Sequence, residues 1–363
     1  MEKVVSKHSH MDRHYLADAR AIASGLGSLN TRFSGKSILL TGAGGFLGVQ
    51  FVHYFLALND SGRLSAPCRL IAMDNFIRGV PHWLEEVRGR ADLCLHHADI
   101  VITRNFERSD YIVNAASIAS PTFYRKHPIE TMDTNVIGLR NLLDFAVKCS
   151  PEGFLNLSTS EIYGDPDDAS IPTAESYRGN VSCTGPRSCY DESKRYGETL
   201  CVNFSKIYSV PVVCARPFNN YGPGLRISDR RVLPDFFRDA LAGRDIVILS
   251  DGRATRTFCY VADALEGYLR VLLLGRPAEA YNIGTETPEI SISALAAAVI
   301  SLVGSKGKIV RRVSDDKEYT TDNPQRRCPD ISKARRELNF NPRVGLDAGL
   351  ERTYAYYLDH IND

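Results

Sequence analysis

The stretch "SILLTGAGGFLGVQFVHYFLAL" at 37–58 constrains the fold more than any other part of the chain. A short apolar run gives way to glycines at 42, 44, 45 and 48, then to a long apolar segment, and a second short run, "RLIAMD", follows at 69–74. Strand, glycine turn, helix and strand in that order make a βαβ unit, whose strands lie parallel because a crossover helix joins them. Glycines at such a turn let the backbone bend tightly and approach a pyrophosphate at the helix N-terminus. Gly42, Gly45 and Gly48, with Phe46 and Leu47 opening the helix, are therefore candidate cofactor contacts. Asp74 ends the second strand, where a carboxylate accepts hydrogen bonds from both adenosine ribose hydroxyls and repels a 2′-phosphate. The expected dinucleotide is NAD rather than NADP; Asn75 adjoins Asp74, and Arg78 in "DNFIRG" is the nearby charge that would soften the preference. Asp99 and Ile100 in "HHADI", at the end of a later strand, extend the site toward the adenine.

The alternation continues through "DYIVNAA", a helix around Ile129–Lys148, "FLNLSTSE", a helix around Tyr190–Tyr208 and "VPVVCARPF". This rhythm predicts an α/β fold, a Rossmann-type doubly wound parallel sheet. After Asn219 the texture changes to Gly, Pro and charge in "NNYGPGLRISDRR", which predicts a smaller C-terminal substrate-binding lobe. The division expected is an N-terminal extension over 1–34, with a helix-like stretch at 12–28, a dinucleotide-binding domain over 35–218, and a lobe over 219–363 that returns in part to the first sheet. The 363 residues suffice for a sizeable core, and a net charge of +1 without a basic block excludes nucleic acid as the main partner. No apolar stretch approaches a membrane span and "MEKVVSKHSHMDRHYLADAR" is charged throughout, so no membrane partner and a cytoplasmic location are expected. Nine scattered cysteines without metal-ligand spacing read as reduced thiols, and no metal is expected.

"CYDESKRYGETL" places Tyr190 and Lys194 one helical turn apart on one face. On a dinucleotide-binding sheet that pair reads as a base and its activator, the lysine's charge lowering the tyrosine's pKa so that Tyr190 takes a proton from a sugar hydroxyl.

At this point the chain resembles the extended short-chain dehydrogenase/reductase superfamily of nucleotide-sugar epimerases, dehydratases and decarboxylases. The resemblance rests on "TGAGGFLG", "NAASIASP", "TNVIGLRNLL", "STSEIYGD", Tyr190 with Lys194, "RPFNNYGPG", "RTFCYVADALEG", "YNIG" and "CPDISKARREL", from Gly35 to about Tyr357. Within it, "HPIETMDTNVIGLRNLL", "STSEIYGDP", "GPRSCYDESKR", "GRATRTFCYV" and "DNPQRRCPDI" are similar to UDP-glucuronate decarboxylases, also called UDP-xylose synthases.

The resemblance implies that Thr159, Ser160 and Glu161, at the tip of the apolar run "FLNL", lie beside the sugar's C5 and C6. It implies a homodimer through the helices around Ile129–Lys148 and Tyr190–Tyr208, and further cofactor contacts at Ala115 and Ala116. Ser120, Pro121, Asn219, Arg231, Val232, Arg256 and Arg327 become candidate substrate contacts, with Arg256 and Arg327 assigned to the diphosphate and Arg256 also to catalysis. Arg230 departs from the pattern, standing where those enzymes usually carry glycine. The chemistry follows: oxidising C4 makes a β-keto acid, whose loss of CO2 leaves an enolate held by Tyr190 and Ser160 or Thr159. Glu161, or a water it orients, then reprotonates C5. Other readings are a 4,6-dehydratase or a 4-epimerase sharing the C4 oxidation, and a non-catalytic NAD-binding sensor or scaffold. Dehydratases for dTDP-glucose place Asp-Glu where this chain has Ser160–Glu161, which favours decarboxylation, although GDP-mannose dehydratases also carry Thr-Ser-Glu.

Overall fold

The computed structural model describes residues 11–314, 318 and 321–361. Its centre is a seven-stranded, wholly parallel sheet. The strands are β1 (Ser37–Thr41), β2 (Arg69–Asp74), β3 (Leu93–His97), β4 (Tyr111–Asn114), β5 (Gly153–Leu157), β6 (Val212–Pro217) and a last strand, Ala280–Ile283. From one edge the order is β3, β2, β1, β4, β5, β6 and Ala280–Ile283. The chain therefore reverses direction between β1 and β4, and in an open parallel sheet such a switch point leaves a crevice at the strand carboxyl ends.

Both faces are covered, which explains why the strands read as unbroken apolar runs. Ile38, Leu40, Leu70, Val113 and Leu155 belong to one core cluster with the helix α2 (Phe46–Asp60) and helix Val261–Leu274. The alternate residues Leu39, Ile71, Ile112 and Phe154 belong to the other, with helices Leu139–Cys149 and Ser188–Tyr208. Helix α1 (Arg13–Leu26) starts at Asp12, whose carboxylate accepts from the His14 N–H at 2.7 Å. It joins the first cluster through Ile22, Ala23 and Leu26, and Tyr15 stacks on His53 of α2 at 4.2 Å. The described part of the N-terminal extension is thus built into the main body.

The helix expected around Ile129–Lys148 runs from Pro128 to Cys149 but contains a π-turn at Thr134–Gly138. Beyond β6 the lobe is made of very short strands. Thr255–Arg256 lies between Ile290–Ser291 and Arg326–Arg327, and Ile246–Ile248 pairs with Ile309–Arg311. All nine cysteines are free thiols. Among the described residues no helix is long and apolar enough to cross a membrane.

Candidate active site

The dinucleotide cradle sits at the end of β1. Gly42 has φ +72°, and a Cβ there would lie 2.6 Å from the Ala115 carbonyl group; a Cβ on Gly48 would lie 2.0 Å from the Gly42 oxygen. The backbone accepts no side chain at either point, leaving the N-terminus of α2 open at Phe46 and Leu47, whose N–H groups have no partner inside the helix. Gly45 is the cap residue of that helix. Asp74 fixes the wall: its two oxygens accept from the N–H groups of Gly44 at 2.9 Å and Phe76 at 2.7 Å. Burial raises its pKa, and those two hydrogen bonds oppose the rise. Asn75 donates to Asp99 at 3.0 Å, joining the two adenine-side candidates, and Ile100 is buried beside Gly138. Ala115 continues β4 with its N–H on the Thr41 carbonyl at 3.1 Å, and Ala116 packs against the second cluster. Arg78 does not turn to the ribose side; it donates to Asp229 at 2.6 Å and lies over the Phe123 ring. The donor set fits a dinucleotide: glycine backbone and a helix terminus for the pyrophosphate, one carboxylate for the ribose.

Tyr190 lies in the first turn of helix Ser188–Tyr208 and stacks on Tyr124, the ring centres 5.0 Å apart and the ring planes nearly parallel. Burial pushes its phenol up to about 12, a hydrogen bond with Thr159 pulls the other way, and Arg231 adds a favourable charge. Lys194 is buried and donates to the Leu157 carbonyl at 2.9 Å, 5.8 Å from the Tyr190 ring centre. Burial pushes the ammonium down to about 8. The lysine's ammonium donates to a carbonyl while its positive charge stays 5.8 Å from the phenol ring, where it opposes the burial that dominates the phenol.

At the tip of β5 the chain turns sharply. Thr159 accepts from the Glu161 N–H at 3.2 Å, capping a short 3₁₀ turn over Ser160–Tyr163. Ser160 is buried in that turn. Glu161 receives a two-pronged contact from Arg327, at 2.5 and 2.6 Å, and a short hydrogen bond from Arg187. Burial alone would raise this carboxyl, but the charges of Arg187 and Arg327 outweigh it and hold it at about 2. Of the two expected proton sources for C5, the water that Glu161 orients is favoured over the carboxyl itself. Glu161 stays ionised and is a poor proton donor, and Arg327 gives its guanidinium fork to Glu161 as well as any claim it has on a diphosphate.

Arg256 stands directly opposite Arg327 in the short parallel pairing, and both are buried. Like charges at opposed sheet positions repel, so their placement calls for anions between them and the site. Arg256 is pinned by the carbonyls of Thr255 at 2.7 Å and Pro324 at 2.5 Å, and burial, with Arg327 beside it, pushes its pKa down to about 9.

The remaining candidates line the approach. Ser120 donates to the Asp229 carbonyl at 2.8 Å, Pro121 starts the next short helix, and Arg231 places Nε 3.0 Å from the Asp229 carboxylate ahead of helix Val232–Leu241. Asn219, with φ +41°, donates to the Thr257 carbonyl at 2.9 Å.

Sequence reasoning missed Arg187 and Asp191. The only signal for Arg187 was its place three residues before Tyr190. Asp191, buried with one carboxyl oxygen lacking a hydrogen bond, is 3.8 Å from Arg187; burial and then the Glu161 charge raise it to about 8. Among the described residues one group has metal-type donors close together, Cys94, His96 and Glu107 on and beside the edge strand β3, and Arg69 is paired with Glu107 there.

A model of the NAD dependent epimerase/dehydratase family matches residues 38–284. The chain is 38% identical over 323 residues to UDP-glucuronic acid decarboxylase 6 of Arabidopsis thaliana, covering 88% of this chain and 89% of the relative. Among solved structures, an epimerase of Methanothermobacter thermautotrophicus superposes with TM-score 0.80 at 26% identity, over 93% of this chain and 97% of the other. The dTDP-glucose 4,6-dehydratase of Streptomyces venezuelae, crystallised with NAD and TYD, superposes with TM-score 0.78 at 26% identity, over 89% and 97%. The sheet order, the glycine cradle and the Tyr190–Lys194 helix thus coincide with a match over two thirds of the sequence, and the chain belongs to the NAD dependent epimerase/dehydratase family.

Proposed function

We propose that the chain is an NAD-dependent nucleotide-sugar decarboxylase that converts UDP-glucuronate to UDP-xylose. The observation carrying this reading is the cationic cluster beside Tyr190: Arg187 and Arg327 hold one ionised carboxylate, Glu161, and Arg256 stands opposite Arg327 with its guanidinium on backbone carbonyls. Three guanidiniums against one carboxylate leave positive charge for the diphosphate and for a sugar bearing a C6 carboxylate. A substrate with a neutral C6 hydroxyl would leave part of it unmatched. Relatives named UDP-glucuronic acid decarboxylases, 35–38% identical over most of the chain, support the substrate.

NAD, when bound, accepts a hydride from sugar C4 and returns it to the same carbon. Tyr190 takes the proton of the C4 hydroxyl as its phenolate, the form that the positive charges of Lys194 and of an oxidised nicotinamide would favour against burial, with Thr159 hydrogen-bonded to it. Lys194, fixed on the Leu157 carbonyl, holds its charge at the floor of the site. Once C4 is a ketone, the C6 carboxylate leaves as CO2, and Tyr190 and Thr159 hydrogen-bond the enolate oxygen. Glu161 acts as a carboxylate, orienting a water whose proton goes to C5, the hydroxide left behind taking up a proton from solvent, and Tyr190 returns its proton to the C4 oxygen as the ketone is reduced.

The buried carboxyl of Asp191 favours one second reading. It keeps its proton near neutral pH, as a dehydratase needs in order to protonate a departing C6 hydroxyl. One assay separates the two: the purified protein with UDP-glucuronate and NAD, followed by proton NMR and mass. CO2 loss giving UDP-xylose supports the decarboxylase; unchanged UDP-glucuronate with water loss from a nucleotide hexose overturns it.

A homodimer is part of the same proposal. Ile129 and Ile137, near the start of the two-part helix Pro128–Cys149, and Tyr196 and Ile207 of helix Ser188–Tyr208 are large apolar side chains 40–67% exposed. Apolar residues gathered on two neighbouring helices support an interface with a second copy.

A further inference from the structure

Two loops that serve different ligands are tied together at the mouth of the site. The first follows Asp74 on the dinucleotide side, and the second, residues 226–231, carries Arg231 toward the nucleotide-sugar side. Arg78 of the first loop donates to one oxygen of the Asp229 carboxylate at 2.6 Å, and Arg231 places its Nε 3.0 Å from the other, an ion pair without a hydrogen bond. Asp229 is almost wholly buried, with its side chain 4% exposed. A buried carboxylate is costly unless paired, so its two guanidinium partners are energetically bound to one another through it. The bridge is reinforced from both ends. Arg226 donates to the Arg78 carbonyl at 2.8 Å and its charge acts on Asp74, while Ser120 donates to the Asp229 carbonyl at 2.8 Å. Arg78 also stacks its guanidinium over Phe123, 4.7 Å from the ring centre, in the short helix that Pro121 begins.

We infer that Arg78 is a positioning residue that couples occupancy of the dinucleotide site to that of the nucleotide-sugar site, acting through Asp229 on Arg231. A dinucleotide ribose on Asp74 orders the loop that carries Arg78. Arg78 then holds Asp229, and Asp229 sets the direction in which Arg231 presents its guanidinium. The second ligand meets a loop already ordered, so part of the cost of immobilising it falls on the first binding event. Linkage makes the effect reciprocal: the factor by which NAD tightens nucleotide binding is the factor by which the nucleotide tightens NAD. The inference rests on the reading of Arg231 as a nucleotide contact.

Calorimetric titration of UDP into the protein freed of dinucleotide and into the protein saturated with NAD tests both layers. The expected result is a UDP affinity at least about fivefold higher with NAD, within the usual range of coupling factors, and an equal factor for NAD titrated with and without UDP. Arg78→Ala brings both ratios close to one, and Asp229→Asn, which keeps the side-chain shape, does the same. Arg78→Lys keeps part of the coupling. Equal UDP affinities with and without NAD in the unaltered protein overturn the coupling while leaving the nucleotide reading intact. Failure to bind UDP in either state overturns that reading and the coupling with it. If Arg78→Ala weakens both ligands yet keeps their ratio, the side chain merely supports the loops, and the inference is wrong.

Discussion

At Glu161 the charge state is fixed by two arginines that come from opposite ends of the chain's second half. Its folded pKa of about 2 lies below the ordinary 4.5, so the stability it contributes is fully present above that ordinary value and is lost as pH falls toward 2. Glu161→Gln leaves Arg187 and Arg327 facing a neutral group and should cost about 3 kcal/mol at neutral pH, as breaking a buried pair does; urea unfolding measures it, and a cost near zero would refute the pairing. Asp191 has the opposite sign. Its folded pKa of about 8 lies above 3.8, so the folded state binds the extra proton and stability falls as pH rises through that window. Asp191→Asn should flatten this decline, measured as the unfolding midpoint across pH 5–9. Tyr190→Phe keeps the ring stacked on Tyr124 and should retain dinucleotide binding while turnover falls roughly 10²–10⁴-fold, the share that proton transfer usually carries. Tyr190, Lys194 and the cradle glycines were legible because their spacing is local. Arg327 reaches Glu161 across 166 residues of sequence, and no local pattern announces that contact. Helical spacing likewise puts Lys194 on the face of Tyr190 without saying that its ammonium turns to the Leu157 carbonyl.

At the scale of elements, two departures from regular geometry frame the site. Arg230 has φ +62°, the left-handed region that glycine adopts freely, in the turn leading into helix Val232–Leu241. The resemblance marked this position as a departure from an expected glycine, and the backbone is of the kind glycine adopts. Arg230→Gly should stabilise the folded protein by about 1 kcal/mol, the usual penalty for a side chain in that region, read as a rise in thermal midpoint; a fall would mean that the arginine makes a contact worth more than the strain. The π-turn at Thr134–Gly138 places Asn135 between Ser117, which donates to it at 2.8 Å, and Ser193, to which it donates at 2.9 Å. That contact joins the turn to the helix carrying Lys194. An apolar period averaged over the segment still reads as one helix, so the irregularity was invisible in sequence.

At the scale of the whole molecule, the parallel sheet was legible because β1, β4 and β5 are buried runs, each bounded by a turn, and helices cross over between successive strands such as β1 and β2. The lobe was expected after Asn219, but its internal strands were not, because strands of two or three residues, such as Thr255–Arg256, carry no period of their own. Pairing across the lobe nonetheless sets Arg256 against Arg327. If the exposed apolar side chains on helices Pro128–Cys149 and Ser188–Tyr208 meet a second copy, Tyr196→Asp should convert a dimer to a monomer in sedimentation equilibrium; a mass unchanged from the unaltered protein would place the interface elsewhere. The central claim is that C4 is oxidised and re-reduced in one site around a decarboxylation, with the proton at C5 drawn from water. The most direct measurement is turnover of UDP-glucuronate carrying deuterium at C4, in ordinary water, and of unlabelled substrate in heavy water. The account predicts UDP-xylose that keeps its C4 deuterium in the first case and gains one deuterium, at C5, in the second. Loss of the C4 label to solvent, or a product that retains its carboxylate, would contradict it.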